Sequence, residues 1–228
     1  MSVANTSEAV SVALIDDQAL FRAGIRMLVE SQPDMRLAWE AGDGSEAVAL
    51  AAEQPPDVML MDLRMPVMDG VTATKKISDA AAREGTEKPK IIALTTFNRD
   101  QAVVEAVQAG ASGYLLKSAE PEFLLAAIRT VHSGYSVIAP GSVHDLFQHA
   151  ARTVPPAGPD LSVLESLSAR EKDVFLLAAK GLSNSEMAES LFVSEATVKT
   201  HLRSVLTKLG VRTRLQLVAF AYEHRLLG

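Results

Sequence analysis

The sequence predicts an α/β domain with a five-stranded parallel sheet, followed by a separate all-α domain. Three observations carry that expectation. Short apolar runs alternate with helix-like segments through residues 10–138, the pattern of strands covered on both faces by helices. The chain then crosses a Pro- and Gly-rich stretch, with Ala139-Pro140-Gly141 at its start and Thr153-Val154-Pro155-Pro156-Ala157-Gly158-Pro159 near its end, which is stiff and poor in helix formers. From Leu167 onward only helical segments follow, set off by capping residues and glycines.

In the first domain, residues 10–138, strands are expected at 12–15, 36–40, 58–61, 91–94 and 113–116. Helices are expected at 18–31, 44–53, 69–83, 99–109 and 121–133. Val12-Ala13-Leu14-Ile15 and Val58-Met59-Leu60-Met61 are apolar without alternation, which suits strands buried on both faces. Pro33, Pro55-Pro56, Pro89 and Gly110 fall at the junctions, and the polar stretch Glu84 to Lys90 reads as a lengthened loop. The linker spans 139–161, within which 142–152 is a candidate short helix. In the second domain, residues 162–228, Ser168 and Glu171 fit a capping box for a helix to Lys180, which Gly181 stops. Asn184 or Ser183 opens a second helix to about Leu191. Ser194 opens a third, 195–209, closed by Gly210, and a fourth covers 213–226.

The 228 residues, 48% apolar, are enough for two domains with substantial cores. The absence of cysteine excludes disulfides and thiolate metal sites and fits a reducing, cytoplasmic setting. No apolar run approaches the roughly 18 residues of a membrane span, so no membrane partner is expected. Met1 to Ser11 has neither a basic region nor an apolar core. It is expected to be a short disordered lead, not a signal peptide. The net charge of −6 is uneven: residues 1–139 carry 12 Lys/Arg against 19 Asp/Glu, whereas residues 162–228 carry 9 against 7. An acidic front and a mildly basic back point to different partners.

Asp16 and Asp17 follow the first apolar run, and Asp62 follows the third strand's. Ligands of open α/β sheets bind beyond the carboxyl ends of the strands, so three carboxylates would meet at one edge. Crowded carboxylates repel unless a cation or protons intervene. An oxygen-only set suits a hard cation such as Mg²⁺, which brings phosphate chemistry with it. A single acidic strand end is also what an Asp capping the next helix would give.

The two halves together resemble a bacterial two-component response regulator of the NarL/LuxR type. In the first half the resemblance rests on Leu14-Ile15-Asp16-Asp17, Met61-Asp62-Leu63-Arg64-Met65-Pro66-Val67-Met68-Asp69-Gly70, Ala93-Leu94-Thr95-Thr96 and Gly113-Tyr114-Leu115-Leu116-Lys117, in order and each at a strand end. In the second half it rests on Leu167-Ser168-Ala169-Arg170-Glu171, Ser183-Asn184-Ser185-Glu186-Met187-Ala188 and Val193-Ser194-Glu195-Ala196-Thr197-Val198-Lys199-Thr200-His201. The resemblance implies a flavodoxin-like receiver domain joined to a LuxR-type helix-turn-helix domain. It implies that Asp62 accepts a phosphoryl group from a sensor histidine kinase, and that Asp16, Asp17, Asp62 and the backbone carbonyl of Arg64 hold Mg²⁺. Lys117 would set a positive charge on the phosphoryl oxygens, and Thr95 would offer a hydroxyl. Tyr114 would switch between inward and outward positions. Lys117 is equally suited to a resting salt bridge with Asp62. Met65-Pro66 fits a tight turn after Asp62, and Gly70 a close backbone approach beside it.

Residues 184–191, the turn at Phe192-Val193-Ser194 and residues 195–209 read as a helix-turn-helix. Val198, Leu202, Val205, Leu206 and Leu209 form one inward stripe. Lys199, Thr200 and Arg203 lie off it and are candidates for reading bases of double-stranded DNA. Thr197, His201 and Lys208 are candidates for phosphate contacts, which position without specifying. His201 has no second His three or four residues on, and His144 and His149 are five apart, so a ligand pair is not expected. A homodimer on repeated promoter sites is expected on phosphorylation or on DNA. Leu215, Leu217, Val218, Ala221 and Tyr222 are the candidates for pairing, or else for the domain's own core. A phosphatase using an Asp nucleophile would need a second Asp where Arg64 stands, so an enzyme is not the expectation. A regulator with a relic acidic site is disfavoured by the intact set Asp16, Asp17, Asp62, Thr95 and Lys117.

Overall fold

The computed structural model describes residues 9–86, 89–96, 100–138 and 160–227. The chain divides into two compact units, residues 1–137 and 138–228. In the first, β1 (Val10–Ile15), β2 (Met35–Ala41), β3 (Val58–Asp62), β4 (Lys90–Thr95) and β5 (Gly113–Leu116) alternate with helices. These are α1 (Ala19–Glu30), α2 (Gly44–Glu53), α3 (Gly70–Glu84), α4 (Asp100–Ala109) and α5 (Pro121–His132). The strands run in the order β2-β1-β3-β4-β5 and are all parallel, the α/β sheet that the sequence predicts. A two-residue β6 (Val137–Ile138) follows β5 at the edge. Two residues carry no periodicity, so the sequence alone did not reveal it.

The non-alternating runs are explained by burial on both faces. Val12, Leu14, Val58, Leu60, Ile92, Leu94 and Leu115 pack on one face against Phe21, Ile25 and Val29 of α1 and Leu124, Ile128 and Val131 of α5. Ala13, Ile15, Met59, Met61 and Ile91 pack on the other against Ala47 and Ala51 of α2, Ala73 and Ile77 of α3, and Trp39. Each fully buried large aliphatic side chain contributes about 1.5–3 kcal/mol.

Topology places the functional edge. The chain steps outward from β1 to β2 and returns across β1 to β3, which opens a crevice at the carboxyl ends of β1 and β3. Ile15 stands opposite Met61, so Asp16 and Asp62 emerge side by side. Asp62 pairs with Leu94, and Thr95 with Leu116, which brings Thr95 and Lys117 to the same edge.

Several boundaries differ from the sequence expectation by a residue or more, the last helix ending at Glu223 and not at 226, and two in the first unit have a visible cause. β1 begins at Val10 because Ser11 is tied to Asp57: its N–H and hydroxyl donate to Asp57 Oδ2 at 2.9 and 2.6 Å. Val10 and Ser11 thus belong to the sheet and not to a disordered lead, while residues 1–8 lie outside the described residues. α3 runs through Glu84 and ends on Gly85 at φ 69°, so the loop is shorter than expected; its residues 87 and 88 lie outside the described set. The same holds for 139–159, which takes in nearly all of the expected linker, the candidate helix at 142–152, His144 and His149.

From Asp160 on, the described residues of the second unit are helical, as expected. A 3₁₀ turn (Leu161–Leu164) precedes α6 (Ala169–Ala179), α7 (Asn184–Leu191), α8 (Glu195–Leu209) and α9 (Arg214–Glu223). Asp160, at the end of the expected linker, caps that turn and donates its N–H to the His224 carbonyl at 3.1 Å. Ser168 with Glu171, Ser183 with Glu186 and Thr213 with Gln216 form capping boxes, and Ser194 caps α8. Val174, Phe175, Met187, Val198, Leu202, Val205 and Leu217 form one core, with Phe220 edge-on to Phe175 at 6.3 Å. No helix among the described residues is long and apolar enough to cross a membrane.

Candidate functional site

Three carboxylates meet beyond β1 and β3. Asp16 and Asp62 are buried, Asp17 is exposed, and one oxygen from each lies within 4.8 Å of the others. All three offer oxygen, the donor type a hard divalent cation takes. Asp62 ends β3, and its Oδ1 accepts the Arg64 backbone N–H at 3.1 Å. Asp16 Oδ1 accepts the Gln18 N–H at 2.9 Å, which holds the start of α1 against the strand end.

Lys117 comes from just past β5 and bridges two of the carboxylates. Its Nζ donates to Asp62 Oδ2 at 2.8 Å and lies 2.5 Å from Asp16 Oδ2. The contact with Asp16 is an ion pair without the alignment of a hydrogen bond. The Lys117 side chain is 7% exposed. Burial pushes its pKa down, but the carboxylates of Asp16 and Asp62 outweigh this and hold it above the ordinary lysine range. Burial pushes the Asp62 carboxyl above the usual carboxylate range, against the opposing hydrogen bonds from Lys117 and the Arg64 N–H.

The other expected residues gather at the same edge. Thr95 is buried at the end of β4, and its carbonyl accepts the Lys117 N–H at 2.7 Å. Tyr114 is buried within β5. The tight turn after Asp62 is made by Pro66, whose carbonyl accepts the Met68 N–H at 2.7 Å around Val67 at φ 65°. Gly70 donates its N–H to Leu63 and passes hard against the backbone of Asp62.

Two residues at this edge escaped sequence reading. The Phe21 ring centroid lies 4.9 Å from Lys117 Nζ, and an Arg22 Nη donates to the Asp16 carbonyl. Their positions on the first turn of α1, beside Asp16 and Asp17, were the only available signal.

In the second unit, α7, a turn and α8 form the helix-turn-helix. The turn holds Phe192 at φ 54°, 96% exposed, where glycine is usual. Val198, Leu202 and Val205 are buried and Leu206 and Leu209 partly buried. Lys199, Thr200 and Arg203 are exposed on the opposite side, and Lys199 and Arg203 form no ion pair among the described residues. Thr197 shares a hydrogen bond with the Ser194 cap at 2.8 Å, and His201 is half-buried. Lys208, expected to contact phosphate, is exposed and also pairs within its own unit. Its Nζ lies 2.7 Å from Glu171 Oε2, while Ser204 donates to Glu171 Oε1 at 2.6 Å. These bonds, Lys208's first, hold the Glu171 carboxyl well below the usual range. Of the candidate pairing residues on α9, Leu215, Leu217 and Ala221 are buried in their own unit, which leaves Val218 and Tyr222 half-buried at its surface.

The comparisons with known proteins agree with this fold. Residues 12–129 match the model for the response regulator receiver domain, and residues 165–221 that for the bacterial regulatory proteins of the luxR family. The transcriptional regulatory protein LiaR of Bacillus subtilis (strain 168) is 40% identical over 222 residues, covering 96% of this chain and all of its own. The crystal structure of the response regulator ChrA, from a heme-sensing two-component system, is 36% identical with a TM-score of 0.50, over 96% of this chain and 99% of that one. The response regulator RcsB, solved in complex with DNA, shares the fold at 24% identity and a TM-score of 0.53, over 95% of this chain and 99% of that one.

Proposed function

The chain belongs to the response regulators that join a receiver domain to a LuxR-type DNA-binding domain, and we propose that it takes a phosphoryl group on Asp62 from a sensor histidine kinase and so controls transcription. The observation that carries this reading is the buried Asp62 carboxylate at the end of β3, grouped with Asp16 and Asp17 and paired with Lys117.

In this reading one Asp62 oxygen forms a bond to phosphorus while the donor's phosphorus–nitrogen bond breaks and leaves its electron pair on the imidazole. Asp16, Asp17, Asp62 and the Arg64 carbonyl would hold Mg²⁺, which offsets the charge of the incoming group. Lys117 moves its ammonium from the carboxylates to a phosphoryl oxygen, and Thr95 turns its hydroxyl toward another. Both movements pull on the ends of β4 and β5, and a change of position of Tyr114, within β5, is the proposed signal to the rest of the chain. The product is the modified regulator itself and not a released small molecule.

On the DNA side, Lys199, Thr200 and Arg203 read base edges, and Thr197 and His201 position the helix on phosphates. Lys208, which pairs with Glu171 of α6 in the free chain, joins them in contacting phosphate. A single helix-turn-helix buries little DNA surface, so the phosphorylated chain acts as a homodimer on promoter repeats, in the cytoplasm where the DNA lies. The test is intact-mass measurement after incubation with acetyl phosphate and Mg²⁺. Wild type should gain one phosphoryl group and Asp62→Asn none. An unmodified wild type, or a modified Asn variant, would overturn the assignment.

A further inference from the structure

We propose that Phe21 is a positioning residue for Lys117, whose ring holds the ammonium while Asp16, Asp17 and Asp62 take up a divalent cation. The inference rests on the reading that these three carboxylates bind Mg²⁺. Lys117 Nζ lies 2.5 Å from Asp16 Oδ2 and 2.8 Å from Asp62 Oδ2, inside the group of oxygens that would surround the metal. An ammonium and a divalent cation on the same oxygen repel strongly where water is excluded. Metal entry therefore requires the ammonium to withdraw from Asp16.

Its surroundings limit where it can go. With the Lys117 side chain 7% exposed, the ammonium has little water to replace the lost carboxylate. The Phe21 ring, centred 4.9 Å from Nζ, is the soft partner already in place. The negative face of an aromatic ring attracts a cation without carrying a charge that would compete for the metal. Phe21 is fixed on the first turn of α1 and packs against the core shared by β1 and α5. The ring can thus keep Lys117 charged and close to Asp62 as the ammonium leaves Asp16. A leucine would fill much of the same space but lack the ring's quadrupole.

The test is a calorimetric Mg²⁺ titration of the full chain in wild type, Phe21→Leu, Phe21→Tyr, Lys117→Met and the Leu/Met double variant, each checked by thermal melting. Phe21→Leu should weaken Mg²⁺ binding about three- to tenfold, Phe21→Tyr should bind as wild type does, and Phe21→Leu should have no further effect once Lys117 is Met. Equal affinity of Phe21→Leu and wild type would overturn the inference. So would the same loss in the Lys117→Met background, which would mark Phe21 as structural only. A wild type that binds no Mg²⁺ would instead remove the metal reading on which the inference rests.

Discussion

A Cβ placed on Gly70 would stand 1.9 Å from the carbonyl oxygen of Asp62 and 2.9 Å from the Cα of Leu63. Both neighbours are backbone, so no side chain can turn aside to make room. Gly70→Ala must therefore push α3 away from the end of β3 and with it displace Asp62. The expected cost is about 1–3 kcal/mol of stability in the first unit, the range for forced overpacking, with a slowed phosphorylation. A lowered melting transition and a reduced rate of mass gain with acetyl phosphate check this.

Asp17 is exposed and makes no hydrogen bond or ion pair among the described residues, whereas Asp16 is buried against Lys117. Asp17→Asn should thus weaken Mg²⁺ binding by roughly tenfold or more through loss of a hard ligand, with little change in melting temperature. Asp16→Asn should alter both. Calorimetric titration beside a thermal melt separates the two variants.

Glu171 supplies a pH dependence for the second unit. Its folded pKa is depressed by Lys208, Ser204 and Ser168, so its stabilisation is fully present above the ordinary glutamate value of about 4.3. That stabilisation is lost as pH falls through the depressed value. Glu171→Gln should be less stable than wild type at pH 7, and the gap should narrow on acidification below about pH 4. Hydrogen-exchange protection of peptides from α6 and α8, compared between the two proteins at each pH, reads this directly.

Lys199 and Arg203 are exposed on α8 without ion-pair partners among the described residues, while Lys208 is paired with Glu171. Lys199→Ala and Arg203→Ala should each cost about 1–3 kcal/mol of specific DNA binding and relax base preference. Lys208→Ala should lower the stability of the second unit and weaken binding to every duplex alike. Binding to selected and scrambled duplexes, with a thermal melt of each variant, distinguishes the two effects.

Much of this architecture was legible in the residues because it rests on local patterns. Val58-Met59-Leu60-Met61 could be read as a doubly covered strand, and Ser168 with Glu171 as a helix start, since period and capping act within a few residues. What lay hidden depends on contacts between distant segments. The Ser11–Asp57 bonds that lengthen β1 join residues 46 apart. The Glu171–Lys208 pair joins residues 37 apart and ties α8 to α6. Phe21 over Lys117 could not be foreseen from a lone aromatic in an amphipathic helix, where packing on the core is the simpler reading. Val137–Ile138 was too short to show a pattern.

In the proposed function a phosphoryl group on Asp62 controls how this chain engages DNA. The most direct measurement is the affinity and stoichiometry of the full chain on a duplex obtained by in vitro selection, followed by sedimentation with and without acetyl phosphate and Mg²⁺. Phosphorylated wild type should bind as a dimer and about 5–150-fold more tightly than the unmodified chain, the usual span of coupling between two sites. Asp62→Asn should stay at the unmodified level. Equal affinity and association with and without the phosphoryl group, or an Asp62→Asn variant that responds as wild type does, would contradict the account.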